Sequence, residues 1–247
     1  MPRRINISGY ARYKHRMAAI DIAALNLLSS RTFKRHIDFH QHGEFILAAN
    51  MWDERYAGGE YFFGTRPNAF MASQHALLKP GMSCLAVADG EGRNGVWLVE
   101  QGLKVLSVDS SAVAASKADT LAQQKGVKLD FVVADLLDWH WEENRYDVVV
   151  AIFIQFATPE QRGKLFANMK KCLKHGGLLL LQGYTPRQLE YKTGGPPLAE
   201  NMYTEPLLRE AFADMEILHL KEHDSEINEG SGHKGMSALI DLVARKK

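Results

Sequence analysis

From residue 82 onward, short apolar runs alternate with segments whose apolar positions recur every three or four residues. The runs at 82–87, 104–108, 129–133, 147–153 and 177–181 are rich in Val, Leu and Ile and predict strands. The segments 94–100, 112–124, 159–173 and 205–212 predict helices. The helix at 159 has a spelled-out start: Thr158 as N-cap, Pro159 at the first helical position and Gln161 completing a capping box. Its end is predicted at His175-Gly176-Gly177. Strands alternating with helices imply a parallel sheet covered on both faces, and the nearly continuous apolar runs at 147–153 and 178–181 match burial on both sides. The last third differs. Runs at 215–223 and 236–244 are joined by the polar, glycine-rich NEGSGHKG with no crossover helix, which predicts an antiparallel β-hairpin at the sheet edge. Before the first strand, 52–61 reads as a short helix or turn and GTRPN (64–68) as a loop, because Pro67 biases Arg66 away from helix. A helix over 70–78 is then stopped by Lys79-Pro80-Gly81.

The length of 247 residues fits one α/β domain with an extension. A net charge of +1 hides an asymmetry: residues 1–50 carry eight of the 30 Lys/Arg and three of the 29 Asp/Glu, leaving 22 and 26 for residues 51–247. The folded module, which Met51 opens, is therefore mildly acidic and has no clustered basic face of the kind that binds nucleic acid. Residues 1–50 read as a basic N-terminal extension with an amphipathic stretch at 18–28. That pattern fits a transit peptide, a mobile leader, or sequence upstream of the true start. His36, His40 and His42 fall in it, but no cysteine or carboxylate cluster completes a metal site and no metal is expected. Cys84 and Cys172 form no disulfide framework and read as small core residues. No apolar run approaches the roughly 18 residues that span a bilayer, so no membrane partner is expected and the cytoplasm is the expected setting.

The candidate chemistry is concentrated in SCLAVADGEGRNG, residues 83–95. An apolar strand runs into the turn Gly90-Glu91-Gly92, and a helix-compatible segment follows. This arrangement brings backbone N–H groups up to a nucleotide-like ligand. Fourteen residues after Gly95 the next strand ends on Asp109, placed to bind two ribose hydroxyls. Gly90, Gly92 and Gly95 satisfy the GxGxxG dinucleotide fingerprint, so a nicotinamide-dependent oxidoreductase is one reading. Three features weigh against it. The third strand ends in a second acid, Asp135, followed by Leu136; the fourth ends in aromatic residues; and the chain closes on a hairpin where a dehydrogenase would continue into another α/β unit.

These residues resemble the class I S-adenosylmethionine-dependent methyltransferases over about residues 51–247. WDERYAGGEYFFGTRPNAF and the ending LIDLVARK are similar to the small bacterial branch related to tellurite-resistance and thiopurine methyltransferases. The resemblance implies a Rossmann-like fold with a seven-stranded, mostly parallel sheet, helices on both faces and an antiparallel last strand. It also implies S-adenosylmethionine as cofactor. The family's first motif is an acid followed by three alternating glycines; here Ala86 stands for the acid and Ala88 for the first glycine. By resemblance, Ala88, Asp89, Gly90, Glu91, Gly92 and Asn94 form the cofactor turn, and Asp109 and Ser110 meet the ribose. Asp135 and Leu136 meet the adenine, and the backbone of Ile152 meets the methionine moiety. Arg66 is a candidate for the cofactor carboxylate, and Arg93 a supporting residue of the turn.

Methyl transfer from a sulfonium is an in-line displacement in which the protein supplies alignment and desolvation. A soft acceptor such as a thiolate, selenium or tellurium needs no general base, whereas a hydroxyl does. No nucleophile–base pair is readable from spacing, so no catalytic residue is assigned. Candidates for the acceptor pocket are Tyr61, Phe63, Gln155, Phe156, Tyr184, Tyr191 and His233, whose aromatic members also suit a sulfonium. The leading expectation is methyl transfer to a small-molecule acceptor. The alternatives are the oxidoreductase and a catalytically silent cofactor-binding protein of the same fold.

Overall fold

In the computed structural model of the protein, residues 51–247 are described. The expectations for residues 1–50, including the amphipathic stretch and His36, His40 and His42, lie outside them. Residues 51–56 are helical. The helices that follow are α1 (Ala69–Ser73), α2 (Arg93–Glu100), α3 (Ala112–Gln124), α4 (Pro159–Cys172), α5 (Gln188–Tyr191) and α6 (Glu205–Ala211). The strands are β1 (Ser83–Val87), β2 (Lys104–Asp109), β3 (Asp130–Val133), β4 (Tyr146–Ile152), β5 (Leu173–Tyr184), β6 (Met215–Glu229) and β7 (His233–Lys246).

All seven strands form one sheet in the order β3-β2-β1-β4-β5-β7-β6. The first five run parallel, and β7 lies antiparallel between β5 and β6. The hairpin expected at the edge is therefore present, and its second strand is the one that joins the sheet. Alternating strand residues feed two cores. Leu85, Val87, Val149, Ala151, Leu179 and Leu181 face α4 and α6 through Leu165, Phe166, Met169, Leu208 and Phe212. Cys84, Ala86, Val148, Val150 and Leu180 face α1 and α2 through Phe70, Met71 and Leu98. This two-sided burial is what the unbroken apolar run of β4 anticipated.

Local signals explain the element ends. At α4, Thr158 and Gln161 form the expected reciprocal cap and Pro159 opens the helix. Two expectations need correction. The helix expected over 70–78 is divided: α1 ends at Ser73 and a separate 3-10 turn covers His75–Leu77. The helix expected to run to Leu173 ends at Cys172, and β5 begins at once with Leu173 paired to Tyr146. Register is regained at Leu178 opposite Val148, so His175-Gly176-Gly177 forms a bulge inside β5. Gly176 supplies the positive φ of 76° that this bulge needs.

The polar run NEGSGHKG is also more ordered than a loop. Strand pairing continues to Glu229 opposite His233, leaving a turn of Gly230, Ser231 and Gly232. The turn packs on the segment before α1: Gly232 N donates to Phe62 O at 3.0 Å. A Cβ on Gly230 would stand 2.4 Å from Phe62 O, so only glycine fits there.

Candidate active site

The strand order reverses between β1 and β4, whose carboxyl ends flank the crevice where open α/β sheets bind ligands. Both strands leave the sheet through a non-glycine residue at positive φ, Ala88 at 48° and Phe153 at 56°. The left-handed region costs an L-residue roughly 1–2 kcal/mol. Ala88 thus occupies a conformation that suits the glycine of the family's first motif. Backbone strain gathered at one point of a fold marks a functional site.

The turn after β1 is held from beneath. Asp89 accepts from Gly95 N at 3.1 Å and from Ser107 Oγ at 2.7 Å. Burial drives its pKa up to about 7, although the Ser107 and Gly95 bonds oppose the rise. A Cβ at Gly95 would meet both Asp89 Oδ2 and Ser107 Oγ at 2.4 Å, and one at Gly92 would meet Ala118 Cβ at 2.5 Å. These two glycines serve helix packing. Glu91 is tied to Lys117 at 2.7 Å and to Phe63 N at 3.3 Å, and Asn94 Oδ1 accepts from Asn68 N at 2.9 Å. The side chains of Asp89, Glu91 and Asn94 therefore shape the turn from within the fold.

Asp109 ends β2 beside this turn. Its carboxylate accepts from Gly90 N and Ser111 N, both at 2.9 Å. Burial raises its pKa against the lowering effect of the backbone N–H groups. The carboxylate oxygens keep acceptor capacity beyond these backbone bonds, so the residue fits a ribose diol. Ser111, next to the expected Ser110, caps α3, and its Oγ donates to Asp53 at 2.5 Å. Tyr56 covers the turn, its Oη standing 2.9 Å from where a Gly90 Cβ would be. Nothing in the sequence reading of 52–61 singled out Tyr56 or Asp53. Asp135 follows β3, with its carboxylate accepting from Leu137 N at 2.9 Å. Ala134 N donates to Asp109 O at 2.9 Å, which sets the two acid-bearing strand ends side by side. Leu136 and Ile152 are buried core residues at the ends of their segments. Arg66 is exposed, and its carbonyl accepts from Arg93 at 3.5 Å. The buried cation at the turn is Arg93.

Beside the turn stands a cluster of four rings. His233 lies 4.3 Å from Phe63, 4.3 Å from Phe153 and 5.8 Å from Tyr184, ring centre to ring centre. Tyr184 is 1% exposed and His233 7%. Tyr184 Oη and His233 Nδ1 are buried without a hydrogen-bond partner. Buried polar atoms are nearly always paired, so two orphans in one cluster call for an explanation. Glu229 lies next to them, 2.7 Å from Arg93 and 3.9 Å from His233 Nδ1. The latter distance is too long for a hydrogen bond. Burial raises the pKa of Glu229, but its interactions with His233 and Arg93 outweigh that and bring it to about 2. Burial and the nearby Arg93 and Arg55 cations keep the His233 pKa below its ordinary value, despite the opposing pull of Glu229.

Of the acceptor-pocket candidates, the structure brings Phe63, Tyr184 and His233 together. Tyr61 packs instead beside Val96 and Leu121 and donates to Lys117 O at 3.0 Å. Tyr191 is held on α5 by Arg187 at 2.9 Å, and Phe156 is 42% exposed. Gln155 has both ends of its amide engaged by Tyr184 N and Tyr184 O, so it fixes the backbone behind the ring. Phe153 and Glu229 are the members that the sequence did not reveal. A buried polar line also went unforeseen: Asn68 donates to Gln182 at 2.6 Å, Gln182 donates to Asp241 at 2.6 Å, and Asp241 meets His223 at 3.0 Å. Among the described residues no group of His, Cys, Asp and Glu is placed to hold a metal, and no helix is long and apolar enough to cross a membrane.

Residues 84–177 match the family model described as a methyltransferase domain. The chain is 28% identical over 207 residues to a glycine/sarcosine N-methyltransferase of Aphanothece halophytica, covering 73% of this chain and 74% of the relative. It is 30% identical over 132 residues to a ribosomal protein L11 methyltransferase of Dictyoglomus turgidum, covering 51% of this chain but only 42% of that protein. Among solved structures, TehB from Haemophilus influenzae superposes with a TM-score of 0.60 at 20% identity, covering 81% of this chain and 67% of that one. A protein described with the conversion of a disulfide bond into a thioacetal group during echinomycin biosynthesis gives 0.66 at 19% identity, covering 82% and 91%. The structural likenesses establish the fold, and the family and sequence matches are to methyltransferases. Residues 84–177 thus carry a methyltransferase domain, and the chain around it is similar in sequence and fold to S-adenosylmethionine-dependent methyltransferases.

Proposed function

We propose that this chain moves a methyl group from S-adenosylmethionine to a small-molecule acceptor with a soft sulfur, selenium or tellurium nucleophile. Residues 51–247 are the working unit, residues 1–50 take no part in the chemistry, and the setting is cytoplasmic. The observation that carries this reading is the juxtaposition at one crevice of Asp109 and the Gly90 turn with a buried aromatic cluster holding two unpartnered polar atoms. Asp109 takes the ribose hydroxyls. Asp135 and Leu136 flank the adenine. With Ala86 in place of the family's acid, backbone carbonyls of the 88–92 turn and of Ile152 accept the ammonium group. Arg66, exposed at the rim, takes the cofactor carboxylate.

Bound S-adenosylmethionine supplies an activated methyl group on a sulfonium. Phe63 and Phe153 then exclude water and offer ring faces to the positive charge. The acceptor is held in line by the same cluster, which lowers the barrier through alignment. Three observations support a small acceptor: the cluster is enclosed, the module has no basic excess, and the glycine/sarcosine N-methyltransferase is named for small substrates. Sulfur chemistry in the description of one structural neighbour supports a soft nucleophile. The test is transfer of tritium from labelled S-adenosylmethionine to a panel of thiols, selenite, tellurite, glycine and RNA. Label in the thiol, selenium or tellurium products is expected, and label confined to glycine or RNA overturns the acceptor class. Ala86 and Ala88 favour a second reading, a silent binder; it predicts cofactor binding with no labelled product in any arm.

A further inference from the structure

His233, Glu229 and Tyr184 form a device that the methyl-donor site does not require. The register of the last hairpin pair sets Glu229 opposite His233, and the turn locks both against Phe62 and Phe63. We propose that His233 is the catalytic base for an uncharged, protic acceptor, a thiol that arrives still carrying its proton. This inference rests on the methyltransferase reading above.

Among the described residues, four elements present charged or titratable groups to the ring. Glu229 on β6 and Arg93 on α2 form an ion pair, 10% and 6% exposed, whose charges cancel. Arg55 in the 51–56 helix adds a more distant cation, and Tyr184 on β5 presents a phenol that burial keeps protonated. Among the described residues the nearest cation, Arg93, is already paired, so a thiol that enters uncharged avoids the cost of burying an unpaired charge. It finds an imidazole nitrogen with no partner and a phenol hydroxyl with no partner. The imidazole is neutral at rest and so able to accept a proton. Glu229 at 3.9 Å stabilises the imidazolium once it forms. In the step, the S–H proton passes to His233 while the acceptor sulfur bonds to the methyl carbon. The donor's carbon–sulfur bond breaks with its electron pair kept by the donor sulfur. S-Adenosylhomocysteine and a methyl thioether result, and the imidazolium returns its proton to water. Tyr184 donates a hydrogen bond to the acceptor sulfur and acts as a positioning residue.

The test compares two thiols on the full-length chain. Benzyl mercaptan is protonated at neutral pH and needs a base, whereas 4-nitrothiophenol is already a thiolate. In His233→Gln, kcat/KM for benzyl mercaptan is expected to fall by about 100-fold, the lower range for a general base. The loss for 4-nitrothiophenol should be at least tenfold smaller, with S-adenosylhomocysteine affinity retained. Equal losses for both thiols, or none, overturn the proposal. The wild type gives a reading that does not depend on the variant folding. Between pH 8 and pH 7 its kcat/KM for benzyl mercaptan should change by less than about threefold, because the base and not the solvent removes the proton. A tenfold fall over that unit, following the thiolate fraction, overturns the proposal. So does a wild type that binds S-adenosylhomocysteine and methylates neither thiol. Failure to bind S-adenosylhomocysteine overturns the underlying methyltransferase reading instead.

Discussion

At the amino ends of β1 and β4, Asp147 accepts from Ser83 N and Ser83 Oγ and pairs with Lys174 at 2.9 Å. Burial works against its charge, but those partners outweigh it and hold its pKa below the carboxylate norm. At the opposite end of the sheet, Asp89 and Asp109 are pushed upward by burial, Glu229 is held down beside a buried arginine, and Tyr184 and His233 keep unpartnered atoms. Both positive-φ strand exits, Ala88 and Phe153, lie at this second end as well. One end of the sheet pairs its carboxylate at the surface, and the other buries three carboxylates and leaves two polar atoms without a partner. Folds depart from local rules where a ligand completes them, so the contrast marks the carboxyl end as the candidate active site.

The sharpest way to break this contrast is to remove one carboxylate at each end. Glu229→Ala strands Arg93 in the interior, and a stability loss of about 3–5 kcal/mol is expected in urea unfolding. Asp147→Ala breaks a half-exposed pair and should cost about 1 kcal/mol. Equal losses would erase the distinction. Next comes ligand affinity: Asp109→Ala should weaken S-adenosylhomocysteine binding by roughly 1.5–3 kcal/mol, the range for charge-assisted hydrogen bonds. Unchanged affinity in calorimetry would remove Asp109 from the site.

The pH dependence of stability separates the two unusual carboxylates at the carboxyl end. Asp89 has a folded pKa of about 7 against 3.8 for a free side chain, so the folded state binds the extra proton. Its contribution is fully present below the lower value and is lost as pH rises through the upper one, with a slope of at most about 1.4 kcal/mol per unit. Glu229, at about 2 against 4.5, behaves oppositely: its contribution is present above the free value and is lost as pH falls toward 2. Asp89→Asn should therefore flatten the wild-type decline between pH 4 and pH 7 in thermal unfolding while leaving the acid limb. The smallest effect concerns Ala88. Ala88→Gly relieves a left-handed alanine at some cost in chain entropy, and a gain of about 0.5–1 kcal/mol is expected. A destabilised variant would mean that the Ala88 methyl packs better than its φ suggests.

How far the sequence spoke for the structure follows from how local each signal is. The bounds of α3 coincide with the expected 112–124, and the cap of α4 sits on the expected residues, because both are written within a few positions of the chain. The placement of Asp109 at a strand end and of Gly90 in the turn after β1 was legible for the same reason. The bulge at Gly176-Gly177 was not, since a glycine pair after a helix reads as a stop and only the pairing of Leu173 with Tyr146 turns it into strand. Glu229 was missed because β6 is half exposed, so its polar residues look like loop, and because its partner Arg93 is 136 residues away. Phe153 read as the tail of an apolar strand, and its turn out of the sheet becomes visible only in φ.

Calorimetric titration of the full-length chain with S-adenosylhomocysteine, with NADH as control, tests the central claim most directly. The strained carboxyl end of the sheet predicts micromolar binding of S-adenosylhomocysteine and none of NADH. Binding of NADH without S-adenosylhomocysteine would contradict it.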